Sequence, residues 1–230
     1  MRRRPDCDRI RAMKNQTGKL TITFGALLAG GLALAGGIWA SSNLLAPASL
    51  DQDMLGATYL PEGRAVVDFQ LLDHNGEPFT RDRFREQWTL VFFGFTNCPD
   101  ICPMAMHQLA AVHERLDEKG IGDKVRTVFV TVDPERDTQE TLAAYVPSFR
   151  GDFVGVTGDM EQIDVLARDL GIAHVRRGEA GDADYMVDHG SAILLISPEA
   201  RLQAVFQAPH QVGRMSMDLD RILGFHRRQG

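Results

Sequence analysis

Cysteine is scarce in this chain: three residues in 230, at Cys7, Cys98 and Cys102. That excludes a small disulfide-stapled scaffold, which uses many bridges in place of a sufficient core. Aromatic residues make up only 7%, with two tryptophans and three tyrosines, and no basic stretch in the body of the chain is interleaved with them. A stacking groove for nucleic acid is therefore not encoded. Positive charge is in short supply as well. The first 19 residues hold seven basic and two acidic side chains, leaving 18 basic and 29 acidic after Lys19, a formal −11 against −6 for the whole chain. An acidic body repels nucleic acid and tolerates cations. Otherwise 44% hydrophobic and 24% charged residues describe an ordinary globular protein with room for one good-sized domain and extras. There are no internal repeats.

Charge is wholly missing from residues 20–40, and the next charged residue is Asp51. As a helix this stretch is about 31 Å long, enough for a bilayer core. Seven basic residues precede it, so the positive-inside rule puts residues 1–19 in the cytoplasm and the body across the membrane. That side is the periplasm for a bacterial inner membrane, or the intermembrane space for a mitochondrial one. A cleaved signal peptide is the competing reading, with Ala46-Pro47-Ala48 as a poor cleavage site. Residues 41–64, small and polar with two prolines, read as a linker, and 65–230 as the folded domain. Cys7 then faces a reducing compartment as an idle thiol.

What remains is a pair of cysteines in an informative place. The apolar run from Leu90 to Phe95 is long enough for one buried strand. Cys98 and Cys102 follow, and Ala105, Leu109, Val112 and Leu116 then recur at helical spacing. Both thiols thus fall at a strand-to-helix turn, with Pro103 in the first helical turn where its missing N–H is harmless. Free amides and the helix dipole there favour a thiolate, which is both nucleophile and metal ligand. Two sulfurs four residues apart can close a disulfide or pinch one soft metal ion.

The rest of the order is strand, hairpin turn at Asp73-His74-Asn75-Gly76, central strand, cysteine helix, and a second apolar strand over Val125–Val132. A helix through Leu142–Phe149, a short strand at Phe153–Val156 and a helix from Ile163 to Leu170 ended by Gly171 follow. Residues 172–190 read as a long loop. Ala192–Ile196, a turn, Leu202–Phe206 and a closing helix over Val212–Phe225 complete the chain. This is the order of an α/β, thioredoxin-like fold. Ligands of such sheets gather beyond the carboxyl ends of the strands, where the cysteine loop lies. If the last hairpin lies beside the central strand, His189, just ahead of it, can approach Cys98 and Cys102. Two thiolates and an imidazole form a soft three-ligand set suited to copper, above all Cu(I); zinc wants a fourth ligand.

Three segments carry a close resemblance: Gly94-Phe95-Thr96-Asn97-Cys98-Pro99-Asp100-Ile101-Cys102-Pro103, Val130 to Thr138, and Val187-Asp188-His189. Together they resemble the SCO/SenC family over about Val66 to Gly224. The resemblance implies a membrane-anchored, thioredoxin-like copper-binding protein that helps assemble the copper centre of cytochrome c oxidase subunit II. It implies Cys98, Cys102 and His189 as copper ligands for one ion, Cu(I) with Cu(II) as the alternative, and a redox-active cysteine pair able to form a disulfide. Ala200 departs from the turn glycine common in the family. The expected role is that of a metallochaperone rather than a turnover enzyme. The alternative is a thiol–disulfide reductase for the target's cysteines. A thiol peroxidase ranks last, since no arginine or lysine flanks either cysteine. Met104, Met106, Met215 and Met217 read as packing residues, and His107 and His113 as the solvated side of the cysteine helix.

Overall fold

The structure is a computed structural model that describes residues 54–85, 87–178 and 185–228, with isolated positions 31, 33, 34, 36, 37, 39 and 50. The six isolated positions from 31 to 39 are helical. Among the described residues no helix is long and apolar enough to cross a membrane, and most of the predicted span 20–40 lies outside them.

Among the described residues from 54 on, ten strands, β1 (Ala57–Ala65), β2 (Gln70–Asp73), β3 (Pro78–Thr80), β4 (Trp88–Gly94), β5 (Val125–Thr131), β6 (Val154–Thr157), β7 (His174–Arg177), β8 (Met186–His189), β9 (Ile193–Ile196) and β10 (Arg201–Phe206), alternate with four α-helices. These are α1 (Ile101–Glu118), α2 (Gln139–Tyr145), α3 (Met160–Leu170) and α4 (Val212–Arg227). Eight strands form one sheet in the order β1-β10-β9-β4-β5-β6-β2-β3, and β7 pairs only with β8. The parallel centre β4–β5–β6 runs in register from Trp88 opposite Val125 to Gly94 opposite Thr131. Every residue of β4 and β5 is buried. Their near-continuous apolar, β-branched sequences fit a sheet centre covered on both faces. Phe92, Phe93, Phe129, Leu109, Leu116 and Leu219 make up much of that core.

The mixed α/β, thioredoxin-like architecture expected from the element order is the observed one. Two boundaries differ. Residues 57–64, read as the end of a linker, belong to β1 on the sheet edge, antiparallel to β10. Asp218 of α4 holds the chain just ahead of that strand, accepting the Leu55, Gly56 and Ala57 amides at 2.8–3.1 Å. Tertiary pairing overrides a segment whose own sequence carries little periodicity. The stretch 172–190, read as a loop, contains the β7–β8 hairpin, with His174 opposite His189 and Arg177 opposite Met186. Its strands are mostly exposed, which erases the apolar signal that a sequence pattern would need.

Candidate functional site

The cysteine turn sits at the carboxyl end of β4, where the parallel neighbour β5 also ends. Phe95 remains buried, and its carbonyl accepts the Cys98 amide at 3.2 Å, closing a tight turn ahead of α1. Asp100 caps the helix without a side-chain bond. Instead Cys98 Sγ accepts the Cys102 amide at 3.5 Å. One thiol thus satisfies an otherwise free N-terminal N–H of the helix that carries the other. Pro103 lies in the first turn, as its sequence position predicts.

Cys102 is completely buried. A methyl group at Gly94 would lie 2.9 Å from the Cys102 sulfur and 2.8 Å from the Phe129 ring, so this strand end must be glycine for the sulfur to reach it. Cys98 is half-buried against the same core. Neither is in a disulfide. The expectation that the helix N-terminus eases ionisation is overturned at Cys102: burial outweighs it and pushes that thiol well above its ordinary value. The backbone hydrogen bond to Phe95 opposes that rise, and the nearby Cys98 adds to it.

His189 arrives from the end of β8. Its Nε2 lies 3.3 Å from Cys102 Sγ, across 87 residues of sequence. Its Nδ1 lies 3.1 Å from the Gly190 carbonyl. A carbonyl only accepts, so Nδ1 carries the proton and the Nε2 lone pair faces sulfur. Phe92 and Phe95 meet the ring edge-on, with centroids 6.1 and 5.9 Å away. Burial in this aromatic corner holds the imidazole below its ordinary pKa, and so neutral. A neutral imidazole with one nitrogen fixed and the other aimed at a thiol is the form in which histidine binds metal.

The structure thus joins Cys102 to His189 directly, with Cys98 one turn away in contact with the Cys102 amide. Among the described residues no trio of His, Cys, Asp or Glu side chains is already gathered at metal-holding distance. The donors are soft, and the imidazole already presents its free nitrogen to sulfur. The thiols must lose their protons to hold an ion. Of the other candidates, Met106 and Met215 are buried packing residues, whereas Met104 and Met217 are exposed. His107 is exposed, stacked edge-on to Phe149 at 4.9 Å. His113 corrects the sequence reading: it is not solvated but fully buried, bonded to Thr127 Oγ1 at 3.0 Å.

Two buried carboxylates beneath the turn went unassigned by sequence. Asp137 takes the Thr96 amide at 3.0 Å, the Thr96 hydroxyl at 2.5 Å and the Thr131 hydroxyl at 2.6 Å. It thereby ties Thr96, two residues before Cys98, to the end of β5. Burial raises its pKa, and the two threonines pull it back. Asp133 accepts Arg136 Nε at 2.5 Å and the Tyr185 hydroxyl. The run of Asp133 to Thr138 was a legible signal, but nothing in it says which cationic and aromatic groups it would meet.

The SCO1/SenC family model matches residues 58–224. A Stutzerimonas stutzeri protein named for copper binding is 33% identical over 171 residues, 74% of this chain and 83% of its own length. The mitochondrial SCO2 homologue of Mus musculus is 42% identical over 132 residues, 57% of this chain and 52% of its own length. The chain spans about half the length of such mitochondrial relatives. Among solved structures, Arabidopsis thaliana ScoI with copper bound is similar at a TM-score of 0.63 and 34% identity, over 71% of this chain and 98% of that one. Bradyrhizobium japonicum ScoI with copper bound gives 0.61 and 32%, over 68% and 98%.

Proposed function

Since the chain belongs to the SCO1/SenC family, we propose that it is a copper chaperone whose cargo is held by Cys98, Cys102 and His189. Its acceptor would be the copper centre of cytochrome c oxidase subunit II. The observation that carries this reading is the 3.3 Å approach of His189 Nε2 to Cys102 Sγ. One soft thiolate pair and one neutral imidazole match the coordination that Cu(I) prefers. The half-buried Cys98 is the more accessible of the two thiols, so ligand exchange with an acceptor's thiolates begins there while Cys102 and His189 still hold the ion. The copper-bound relatives named above support copper as cargo. In this proposal residues 20–40 anchor the chain in a membrane, with the domain on the periplasmic side or its mitochondrial equivalent.

The test is copper loading of the reduced full chain against a competing Cu(I) chelator. His189→Ala, Cys98→Ser and Cys102→Ser are each expected to weaken binding more than about tenfold, or 1.4 kcal/mol. Wild-type affinity in His189→Ala would overturn the three-ligand site.

One observation favours the thiol–disulfide reductase reading. A half-buried Cys98 beside a buried Cys102 has the asymmetry of an attacking and a resolving thiol. In that reaction Cys98 thiolate attacks a target disulfide and forms a mixed disulfide. Cys102 then displaces the target sulfur, leaving the target as a dithiol and this pair as a disulfide. Two electrons pass to the target. Retained target maturation in His189→Ala, with both cysteine variants inactive, would select this reading over copper transfer.

A further inference from the structure

His189 stands on a hairpin that, among the described residues, belongs to no larger sheet: β7 and β8 pair with each other, over four residues each. Two-stranded hairpins are marginal by themselves, and this one buries little. Some other contact must hold His189 where it meets Cys102. The contacts converge on Tyr185, the residue just ahead of β8, whose side chain is only 6% exposed. The Arg136 guanidinium lies 3.7 Å from its ring centroid and the Arg176 guanidinium 3.6 Å. Two groups that near one centroid occupy opposite faces, so the ring is sandwiched between cations.

Each cation has its own carboxylate. Arg136 Nε pairs with Asp133 at 2.5 Å, and Arg176 with Glu135 at 3.1 Å. The Tyr185 hydroxyl donates to Asp133 as well, which enriches the ring that both cations face. Planar guanidinium groups suit this stacking in a way that lysine would not. The run continues inward: Arg136 also reaches over the Phe95 ring at 5.9 Å, and Phe95 meets the His189 ring at 5.9 Å and 88°. A continuous stack thus leads from the loop after β5, through Tyr185, to the imidazole.

We infer that Tyr185, gripped between Arg136 and Arg176, is a positioning residue for the copper site: it pins β8 to the loop after β5 and so fixes the distance between His189 and the cysteines. The inference rests on the copper reading of that site. Truncating the ring leaves the hairpin its own short ladder, the Gly190 amide bond to the Ala173 carbonyl, the His174–Asp164 pair at 2.9 Å and the buried Val187. These keep the hairpin on the domain, but the grip next to the start of β8 is gone and His189 is held against the sulfurs less firmly.

The test is Cu(I) affinity of the reduced full chain, by chelator competition, in a mutant cycle. Tyr185→Leu is expected to weaken binding about 10–100-fold, the usual loss when a group supporting a metal ligand is removed. Tyr185→Phe keeps both stacked faces and is expected to stay within about threefold of wild type. In the His189→Ala background Tyr185→Leu is expected to do almost nothing, because the ligand it positions is gone. The Cu(II)-loaded form gives an independent signature: nitrogen hyperfine structure in the electron paramagnetic resonance spectrum stays sharp in Tyr185→Phe and splits into several forms in Tyr185→Leu. If Tyr185→Leu binds copper like wild type while His189→Ala does not, the positioning role is overturned and the copper site stands. Equal losses from Tyr185→Leu in both backgrounds would reduce the residue to general stability. An unimpaired His189→Ala would instead overturn the copper site itself. Should Tyr185→Leu fail to fold, Arg176→Gln removes one face from a part-exposed position, and its unchanged affinity would overturn the inference.

Discussion

His113 rides on α1, and His189 reaches the same helix from β8. Burial lowers the basicity of both rings, to about 4 at His113. Burial therefore does not separate a core histidine from a site histidine. Their nitrogens do. His113 Nε2 meets the Thr127 hydroxyl, its Nδ1 is buried without a hydrogen-bond partner, and Phe153 packs on the ring at 5.2 Å. His189 uses Nδ1 on a backbone carbonyl and turns Nε2 to a thiol. On the proposed copper reading, the difference teaches that ligand character comes from a fixed tautomer and the identity of the atom opposite the free nitrogen, not from environment polarity alone.

The strongest way to disturb the site side of that comparison is at its foundation. Asp137→Ala strands the Thr96 amide, the Thr96 hydroxyl and the Thr131 hydroxyl, all of which point at the lost carboxylate. Unsatisfied buried donors of this kind cost about 1–3 kcal/mol each before relaxation. A net loss of about 3 kcal/mol or more in chemical denaturation is expected, with weakened copper affinity because the cysteine turn loosens. Asp137→Asn, which keeps the shape and one acceptor, is expected to lose about half as much. A loss below about 1 kcal/mol in Asp137→Ala would mean that the carboxylate does not hold the turn.

The core side of the comparison is probed by pH. The His113 value in the folded chain lies near 4, against 6.5 for an ordinary imidazole. Desolvation is the main cause and Arg150 the next, with Asp152 and Asp117 opposing. Between these two values the unfolded chain binds a proton that the folded chain refuses, so stability rises with pH across the window and is lost as pH falls from 6.5 towards 4. The whole effect is about 3 kcal/mol at most. His189, His210 and His226 are lowered as well and contribute with the same sign. Denaturation of His113→Gln across that range is expected to show a shallower slope than wild type, while its copper affinity at neutral pH stays within about twofold. An unchanged slope, or a large loss of affinity, would break the contrast between the two rings.

The same contrast explains what the sequence made legible. The cysteine turn announces itself because an apolar strand, a four-residue spacing, a proline and a helical stripe occur within 27 residues, Leu90 to Leu116. The sheet centre was legible for the same reason: β4 and β5 are buried on both faces and read as unbroken apolar runs. His113 was misplaced because helical periodicity assigns a face but cannot foresee a threonine across the interface that satisfies a polar ring. β1 and the β7–β8 hairpin were missed because edge and surface strands carry mixed residues whose pairing is decided by partners far along the chain. The Tyr185 stack brings Arg136, from the loop after β5, together with Arg176 of β7, and no local pattern encodes the meeting with so distant a residue as Arg136.

The smallest expected effect lies at the pole away from the cysteines, in the β9–β10 turn. Ala200 occupies the left-handed region at φ 55°, a backbone conformation that favours glycine, and it is buried. Its amide bonds the Ser197 carbonyl at 2.9 Å, and its own carbonyl accepts the Val66 amide at 3.0 Å. The turn thus keeps its form in spite of the β-carbon, which costs about 1–2 kcal/mol in that region. Ala200→Gly removes this strain but adds freedom to the unfolded chain worth about 0.4–1 kcal/mol. A gain below about 1 kcal/mol is expected in thermal denaturation, with copper affinity and the acid sensitivity of stability both unmoved. A loss instead of a gain would show that the buried methyl packs more favourably than its backbone is strained. A change in copper affinity would show that the two ends of β9 are coupled, and the cysteine pole could then no longer be treated as energetically separate from this turn.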